Sequence, residues 1–300
     1  VHNKATNPVN LCKTSVFLVK RKIKATVISD VHLGTFGCRA TELSNYLSSI
    51  EPEILILNGD IVDIWQFSKR YWPKSHMQII KQITEMIANG VTVYYVTGNH
   101  DEMLRKFTGF GISNFSIVNK IMLTLDGKKC WVFHGDVFDV TMKHSKWLAK
   151  LGAIGYDTLI YINSFVNFIS QKAGRGKISL SKKIKNSVKT AVAFINNFEQ
   201  TAADIAIEKG YDYVICGHIH QPANRVISTA KGSVTYLNSG DWIENLTALE
   251  YENGEWTVYH YNEKDVSEET AFKNTTDSTA YLKNAQLFKT LVKEFELLSD

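Results

Sequence analysis

The 300-residue chain contains few cysteines, the residues that form the disulfides of small secreted domains and the ligands of structural zinc sites. It has four cysteines, Cys12, Cys38, Cys130 and Cys216, and no two of them form a CxxC pair. This spacing argues against a disulfide framework and against a zinc knuckle, and it favours a reducing, cytoplasmic environment. The apolar content is ordinary, and the length allows one large domain or two modest ones to bury a core.

Long apolar runs are also missing. The first residues, VHNKATNPVNLCKTS, lack the apolar core that a secretory signal needs. The most apolar stretch, residues 153–170, contains Asp157, Asn163 and Asn167, so it is too polar and slightly too short for a membrane-spanning helix. Two interpretations stay open for this stretch: a helix packed on the protein's own core, and a helix that faces a membrane.

The net charge of the whole chain is small, but one segment is strongly basic. The net charge is only +4, which argues against a dedicated nucleic-acid-binding protein. Residues 141–190 contain ten Lys or Arg and one acid, so the net charge of this segment is +9. We interpret it as a basic helical insertion or cap in a core of residues 1–140 and 191–266. Residues 267–300 form a tail with helical spacing.

Short apolar, β-rich runs recur along the chain, and each ends in a polar or titratable side chain. Helical patterns around residues 39–50 and 77–89 separate the first three runs, which predicts a β-α-β-α-β start and a partly parallel sheet. From Phe115 onward, strands follow one another with glycine turns, which predicts a second, more antiparallel sheet. The predicted fold is therefore α/β, with two mixed sheets packed as a sandwich between helices.

The strand ends supply metal-capable side chains. In Asp30-Val31-His32 and His218-Ile219-His220 the two candidate ligands are two residues apart, and in extended backbone this spacing puts both on one face. Asp60 has two carboxylate oxygens and can bridge two cations. The full set is Asp30, His32, Asp60, Asn99, His134, His218 and His220.

Seven such side chains suit two divalent ions, each with an open coordination position. Two ions a few ångströms apart can activate water and clamp the attacking and leaving oxygens of a phosphoester. Mixed nitrogen and oxygen ligation favours Mn²⁺, with Fe or Zn²⁺ as alternatives, over Ca²⁺ or Mg²⁺. Each motif alone is common in turns, so it is their ordered conjunction that predicts a metal centre.

The motifs DVHLG, GDIVD, GNHD, HGD and GHIH, in this order, resemble the calcineurin-like metallophosphoesterase superfamily over roughly residues 24–262. The resemblance implies a two-sheet sandwich flanked by helices and two metals bridged by Asp60. One metal would be held by Asp30, His32, Asp60 and His220. The other would be held by Asp60, Asn99, His134 and His218.

The resemblance also assigns catalytic roles within GNHD. His100 would not be a ligand; it would face the substrate phosphate, where it stabilises charge or protonates the leaving oxygen. Asp101 would either hydrogen-bond to His100 and orient it or serve as a plain helix N-cap.

Two further features resemble the UDP-2,3-diacylglucosamine pyrophosphatase group. They are the basic insertion between HGD and CGHIHQP, and the later stretch YLNSGDWIENLTALEY. That group cleaves a lipid-linked nucleotide diphosphate of the lipid A pathway to UMP and diacylglucosamine 1-phosphate. Its best-known members carry arginine where this chain has His100, and the difference makes the site more like that of a general phosphoesterase.

Three functions follow from these patterns. The first is a pyrophosphatase that is peripheral on the inner membrane and whose insertion binds anionic lipid and guides acyl chains. The second is a soluble phosphodiesterase or phosphatase for nucleotides or other small phosphoesters, with the insertion as a lid or a solvated helical face. The third is a metal-bearing module without turnover that holds nucleic acid, and the complete ligand set argues against it. The lipid-binding candidates are Lys182, Lys183, Lys185, Lys189, Phe165 and Phe168.

Overall fold

The computed structural model describes residues 20–64, 71–138 and 180–262. Two β-sheets lie face to face and helices cover their outer faces. In chain order the elements are β1 (Arg21–Ile28), α1 (Ala40–Ser49), β2 (Ile50–Asn58), α2 (Lys74–Ala88), β3 (Thr92–Val96), β4 (Gly111–Ile112), β5 (Phe115–Val118), β6 (Lys120–Leu125), β7 (Lys128–Phe133), α3 (Leu180–Lys209), β8 (Tyr213–Cys216), β9 (Ala223–Thr229), β10 (Gly232–Asn238), β11 (Thr247–Glu252) and β12 (Glu255–His260).

The first sheet has seven strands in the order β12-β11-β1-β2-β3-β5-β4. Strands β1, β2 and β3 pair in parallel with α1 and α2 between them, which confirms the predicted β-α-β-α-β start. The carboxyl ends of parallel strands meet at one edge of a sheet, where sites tend to form. Asp30, Asp60 and Asn99 follow these three strands and therefore share that edge.

The second sheet has five strands in the order β6-β7-β8-β10-β9. Its outer pairs are antiparallel, but β7–β8 and β8–β10 are parallel. His134 directly follows β7, and His218 follows β8 after one glycine. Because β7 and β8 run in the same direction, these two histidines emerge at the same edge of the sheet.

The prediction that the strands from Phe115 onward form a second, more antiparallel sheet is wrong for three of them, β5, β11 and β12. The second sheet is also no more antiparallel than the first, because each has equal numbers of parallel and antiparallel pairs. Strand β5 pairs in parallel with β3, and β11 pairs antiparallel with β1, so both belong to the first sheet together with β4 and β12. The physical reason is that alternation and glycine turns predict strands and hairpins locally. The sheet that a hairpin joins is decided by pairing with a distant strand.

Three apolar layers hold the two sheets and the helices together. Along β2, Leu55 and Leu57 face α1 and α2, whereas Ile56 faces the second sheet. On the other side, Phe198 and Ala202 of α3 pack on the second sheet. Burying each large apolar side chain contributes roughly 1.5–3 kcal/mol. The resulting four-layer α/β/β/α arrangement confirms the predicted fold class.

Helix α3 is continuous from Leu180 to Lys209 and so crosses residue 190, the predicted boundary between insertion and core. Residues 139–179 and 263–300 lie outside the described residues, and with them most of the predicted insertion 141–190, the apolar stretch 153–170 and the whole predicted tail 267–300. The division into core, insertion and tail therefore stays a prediction. Within the described ranges, none of the helices is long and apolar enough to cross a membrane.

Candidate metal centre

The candidate ligands converge where the carboxyl ends of the strands meet. Asp60 and His32 each belong to two clusters of possible ligand atoms, so the clusters join into one continuous group. Within each cluster the ligand atoms lie within 4.8 Å of one another. The three clusters are Asp30, His32 and His220; His32, Asp60 and His100; and Asp60, His134 and His218.

Asn99 lies beside the same group, because both of its neighbours touch Asp60. The backbone N–H of His100 donates to Oδ1 of Asp60 at 2.8 Å. A Cβ on Gly98 would lie only 2.2 Å from that oxygen. Glycine is therefore required at residue 98, since any side chain there would push the loop away from Asp60.

Most of the candidate ligands have left-handed backbone conformations, which L-residues rarely adopt. The φ angles are 52° at Asp30, 53° at His32, 53° at Asp60, 67° at His218 and 54° at His220. Such conformations cost free energy and persist at functional sites where surrounding contacts hold them. Backbone hydrogen bonds from Val31 and His32 to the Asp60 carbonyl, at 3.0 and 2.9 Å, tie the first two loops together.

Several side-chain atoms in the group are buried without a hydrogen-bond partner among the described residues. They are Oδ1 of Asp30, Nε2 of His32, Oδ1 of Asn99 and Nε2 of His134. Nε2 of His220 is 3.2 Å from Oδ1 of Asp30, and Nε2 of His134 is 3.3 Å from Oδ2 of Asp60. Buried polar atoms left unsatisfied are costly. Divalent cations would satisfy them, so this set of nitrogen and oxygen donors fits a metal centre.

The electrostatics keep both buried aspartates ionised. Burial alone would raise the pKa of Asp60, but the imidazoles of His134 and His32 outweigh it and hold that pKa far below its usual value. For Asp30, burial likewise acts to raise the pKa, and the neighbouring His220 brings it below the usual value. Carboxylates, and not carboxylic acids, are the form that binds cations.

Neighbouring groups fix the orientation of two of the histidines. Nδ1 of His134 donates to the carbonyl of Asn58 at 2.8 Å, so Nε2 faces the group and is the acceptor when the ring is neutral. Nδ1 of His220 lies 3.5 Å from Oδ2 of Asp241. Oδ1 of Asp241 is held in turn by the backbone N–H of Ile243 at 2.8 Å. Partners of this kind set the tautomer of a metal-binding histidine.

His100 lies at the rim of the group and its side chain is 37% exposed. Its Nδ1 is 3.0 Å from Oδ2 of Asp63, and its ring meets that of His32 edge-on at 4.6 Å between centroids. Burial acts to lower the pKa of His100, but the hydrogen bond to Asp63 and the charge of Asp60 raise it above its usual value. The imidazole therefore binds a proton more readily than a free histidine does, and solvent can reach it.

Asp101 plays neither of the two roles expected for it. Its carboxylate accepts hydrogen bonds from the N–H of Gly98 at 2.6 Å, the N–H of Ile61 at 3.0 Å and the hydroxyl of Tyr95 at 2.6 Å. It makes no side-chain cap to the 3₁₀ turn Glu102–Phe107, and His100 is oriented by Asp63 instead. The reason is position: Asp101 is fully buried and points back between the loops that follow β2 and β3.

The predicted lipid-binding residues lie elsewhere in the chain. Lys182, Lys183, Lys185 and Lys189 belong to the first turns of α3, where the structure describes the backbone path and not the side chains. Phe165 and Phe168 lie outside the described residues. The roles of all six therefore stay predictions.

The sequence carried signals for two of the three residues that were missed. Asp63 is the last residue of GDIVD, and Asp241 lies in NSGDWIEN, so both stood inside quoted motifs without an assigned role. Arg105, five residues after His100, had no such signal. Its Nη2 donates to the carbonyl of Gly98 at 3.4 Å and pairs with Asp136, the residue that ends HGD.

Comparison with known proteins agrees with this geometry. A model of the family described as calcineurin-like phosphoesterase matches residues 23–222. A protein named UDP-2,3-diacylglucosamine hydrolase, from Aliivibrio fischeri (strain MJ11), is 24% identical over 245 residues, which cover 79% of this chain and 97% of that protein. A protein of the same name from Blochmanniella pennsylvanica (strain BPEN) is 26% identical over 214 residues, 69% of this chain and 83% of that one.

Among solved structures, that of an archaeal phosphodiesterase is similar with a TM-score of 0.39 and 15% identity. The similarity covers 79% of this chain and 99% of that one.

Proposed function

The chain belongs to the calcineurin-like phosphoesterase family and is a metal-dependent phosphoester hydrolase, and on this premise we propose that its substrate is a lipid-linked nucleotide diphosphate. The substrate is of the UDP-2,3-diacylglucosamine kind, and cleavage at the α-phosphorus yields UMP and a lipid phosphate. This proposal has three supports, which are the ligand cluster, the names of the relatives and the basic segment 141–190.

The continuous cluster of ligand atoms around Asp60 carries the proposal. Asp30, His32, Asp60 and His220 would hold one divalent cation, and Asp60, Asn99, His134 and His218 would hold a second. Mn²⁺ is our first candidate on the basis of the mixed donor set. When bound, such a pair activates water and stabilises the negative charge of the reacting phosphate.

The protein's own side chains supply the remaining chemistry. Asp60 accepts the His100 backbone N–H, so the loop that carries His100 is fixed against the candidate ligands. Asp63 accepts from Nδ1 of His100, because a carboxylate cannot donate. Nε2 carries a proton only when the ring is an imidazolium, the form that the raised pKa of His100 favours. In that form it can donate to a phosphate oxygen or to the leaving group, as general acid catalysis requires.

The identity of the lipid substrate is supported by the relatives and by charge. Proteins named UDP-2,3-diacylglucosamine hydrolase match most of this chain and most of their own length. Residues 141–190 carry a net charge of +9, which suits an anionic membrane surface or a phosphorylated headgroup. The enzyme would then act as a peripheral protein at the membrane where its substrate lies.

Offering the lipid to purified, Mn²⁺-loaded protein in ¹⁸O-labelled water tests the substrate directly. We expect UMP as the product and the label in UMP, because attack is at the α-phosphorus. Asp60→Asn is the matched negative control, since it removes the shared ligand. If the lipid stays intact while bis(p-nitrophenyl) phosphate and short nucleotide diesters turn over well, the lipid proposal fails.

One observation favours a second candidate function, a soluble phosphodiesterase for small esters. The lipid-cleaving group carries arginine where this chain has His100, and a histidine backed by Asp63 suits protonation of a leaving alkoxide. The same assay separates the two candidates through the ratio of kcat/KM for the lipid and for the small diesters.

Membrane association is tested separately from turnover. The wild type is expected to sediment with vesicles rich in anionic lipid, and less so as salt rises. Replacing Lys182, Lys183, Lys185 and Lys189 with glutamine should weaken sedimentation. Replacing the exposed Lys106, Lys120, Lys129 and Lys231 with glutamine, an equal loss of charge elsewhere, should weaken it less. Binding that ignores salt and lipid charge would contradict this role of α3.

A further inference from the structure

Arg105 lies between the two loops that flank the candidate metal centre. It is carried by the 3₁₀ turn Glu102–Phe107, which follows GNHD directly. Its Nη2 donates to the carbonyl of Gly98, the residue before Asn99, at 3.4 Å. The same nitrogen pairs with the carboxylate of Asp136, two residues after His134. One guanidinium thus joins the loop of a candidate oxygen ligand to the loop of a candidate nitrogen ligand.

The bonds that hold Arg105 leave most of its donors available. Within the described ranges, both bonds use Nη2, and Nε and Nη1 make no hydrogen bond. The side chain is 37% exposed, whereas that of Asp136 is 10% exposed. An arginine held by a buried carboxylate at one nitrogen is pre-organised, so it loses less conformational freedom when an anion binds to its other nitrogens.

A cavity of about 190 Å³ opens beside this guanidinium. Arg105, His134 and Asp136 line it, together with Asn119 and Gly135. The cavity therefore borders the loop that carries His134, one of the candidate ligands. His100 does not line this cavity, and its ring packs against His32 instead.

We infer that Arg105 and this cavity bind the second phosphate of a diphosphate substrate, the one that is not attacked. The inference rests on the proposed function, since the reacting phosphate must lie against the ligand cluster. A second phosphate joined to it through one bridging oxygen reaches only the immediate surroundings, and among the described residues Arg105 places a guanidinium there. Arginine recognises phosphate through charge-assisted hydrogen bonds, and Asp136 keeps its fork in place. Arg105 is then a specificity-determining residue that favours diphosphates over single phosphoesters.

Equilibrium binding tests the inference without requiring turnover. Isothermal titration calorimetry would measure Kd for UDP and for UMP on the full-length, Mn²⁺-loaded protein, with free Mn²⁺ held equal in cell and syringe. The two probes differ only in the second phosphate, so the ratio of their Kd values isolates its recognition. The variants are Arg105→Gln, Arg105→Lys and the matched control Lys106→Gln, which removes the same charge from the next, exposed position.

The wild type is expected to bind UDP about tenfold more tightly than UMP, because a hydrogen-bonded charge pair commonly contributes that much. Arg105→Gln should abolish this preference, Arg105→Lys should restore part of it, and Lys106→Gln should keep it. The inference is overturned if Arg105→Gln keeps the preference, if it weakens UDP and UMP equally, or if the wild type shows none. A failure of the proposed function would appear instead in the turnover assay, as an intact lipid.

Discussion

Oδ2 of Asp63 lies 3.0 Å from Nδ1 of His100, so the two side chains form a hydrogen-bonded pair at the rim of the ligand cluster. Asp63 is buried and His100 is partly exposed, which makes the carboxylate the fixed partner and the imidazole the accessible one. The same oxygen is 3.7 Å from Nδ1 of His32. Asp63 is therefore close to both a candidate ligand, His32, and a candidate catalytic residue, His100.

His100→Gln is expected to lower kcat by about 10²–10⁴-fold, because a charge-stabilising or proton-donating group is lost at the phosphate. Metal content and folding should be nearly unchanged, since His100 is not a proposed ligand. Steady-state kinetics and elemental analysis measure the two effects. His260→Gln, at an exposed histidine of β12, is the control. A variant that loses its metal, or one with normal turnover, would refute the assigned role.

Asp63→Asn should cost less, on the order of 10–100-fold, because it weakens the orientation of His100 without removing the imidazole. The double variant Asp63→Asn/His100→Gln should then be no slower than His100→Gln alone. Additive losses would mean that Asp63 acts through something other than His100.

Asp101→Asn is expected to lower the free energy of unfolding by about 3 kcal/mol. The side-chain NH₂ of the buried asparagine would face N–H and O–H donors that now donate to the carboxylate. Tyr95→Phe removes only one of the three hydrogen bonds and should cost about 1 kcal/mol. Urea unfolding in EDTA measures both without any contribution from metal binding. Equal losses in the two variants would contradict the role of Asp101 as the link between the loops after β2 and β3.

Gly98→Ala tests the close approach of the GNHD loop to Asp60. The new Cβ would lie 2.2 Å from Oδ1 of Asp60, so we expect a loss of bound metal similar to that of Asp60→Asn. Gly37→Ala is the matched control, since its Cβ would meet nothing closer than Ile243 at 3.4 Å and its φ is not in the left-handed region. Elemental analysis of the purified variants gives the result. Full metal content in Gly98→Ala would show that the loop can move away without consequence.

His76 predicts a pH dependence that does not involve the candidate ligands. It is buried in α2, Nδ1 accepts the N–H of Gly34 at 3.0 Å, and burial lowers its pKa to about 4. Because the folded pKa lies below the unfolded value of about 6.5, the unfolded chain binds the proton first as pH falls. Stability is therefore lost as pH drops from about 6.5 towards 4 and is fully present at higher pH.

Between pH 7 and pH 5 the wild type should lose about 2 kcal/mol more stability than His76→Asn. Asparagine keeps an acceptor for Gly34 but cannot be protonated in this range. Urea unfolding in EDTA at the two pH values gives this double difference. Equal pH dependence in wild type and variant would mean that His76 does not keep its proton off in the folded state.

The spacing of polar residues at strand ends was enough to predict which side chains converge. Asp30, Asp60 and Asn99 each follow a strand of one parallel set, so geometry common to all such sheets brings them to one edge. The orientation of His100 could not be predicted in this way. Asp101 is adjacent to His100 in sequence, yet Asp63 from the neighbouring loop is adjacent in space, and that depends on how the loops after β2 and β3 are packed.

The assignment of strands to sheets could not be predicted for the same reason, because it depends on contacts between distant parts of the chain. The local pattern of β11 and β12 predicts a hairpin, and the structure has one. Only the pairing of β11 with β1, more than two hundred residues earlier in the chain, decides which sheet that hairpin extends. The position of Arg105 between two motif loops is likewise a property of the packed loops and has no counterpart in residue spacing.

The candidate ligands Asp30, His32, Asp60, His218 and His220 also lower the stability of the fold, because their backbone is left-handed. Each such residue stores strain on the order of 1 kcal/mol in the metal-free chain, and asparagine or glycine would relieve part of it. Substitutions that relieve this strain would stabilise the metal-free fold, but they would also remove candidate ligands. Selection for thermal stability alone would therefore favour variants that lack the ligand cluster.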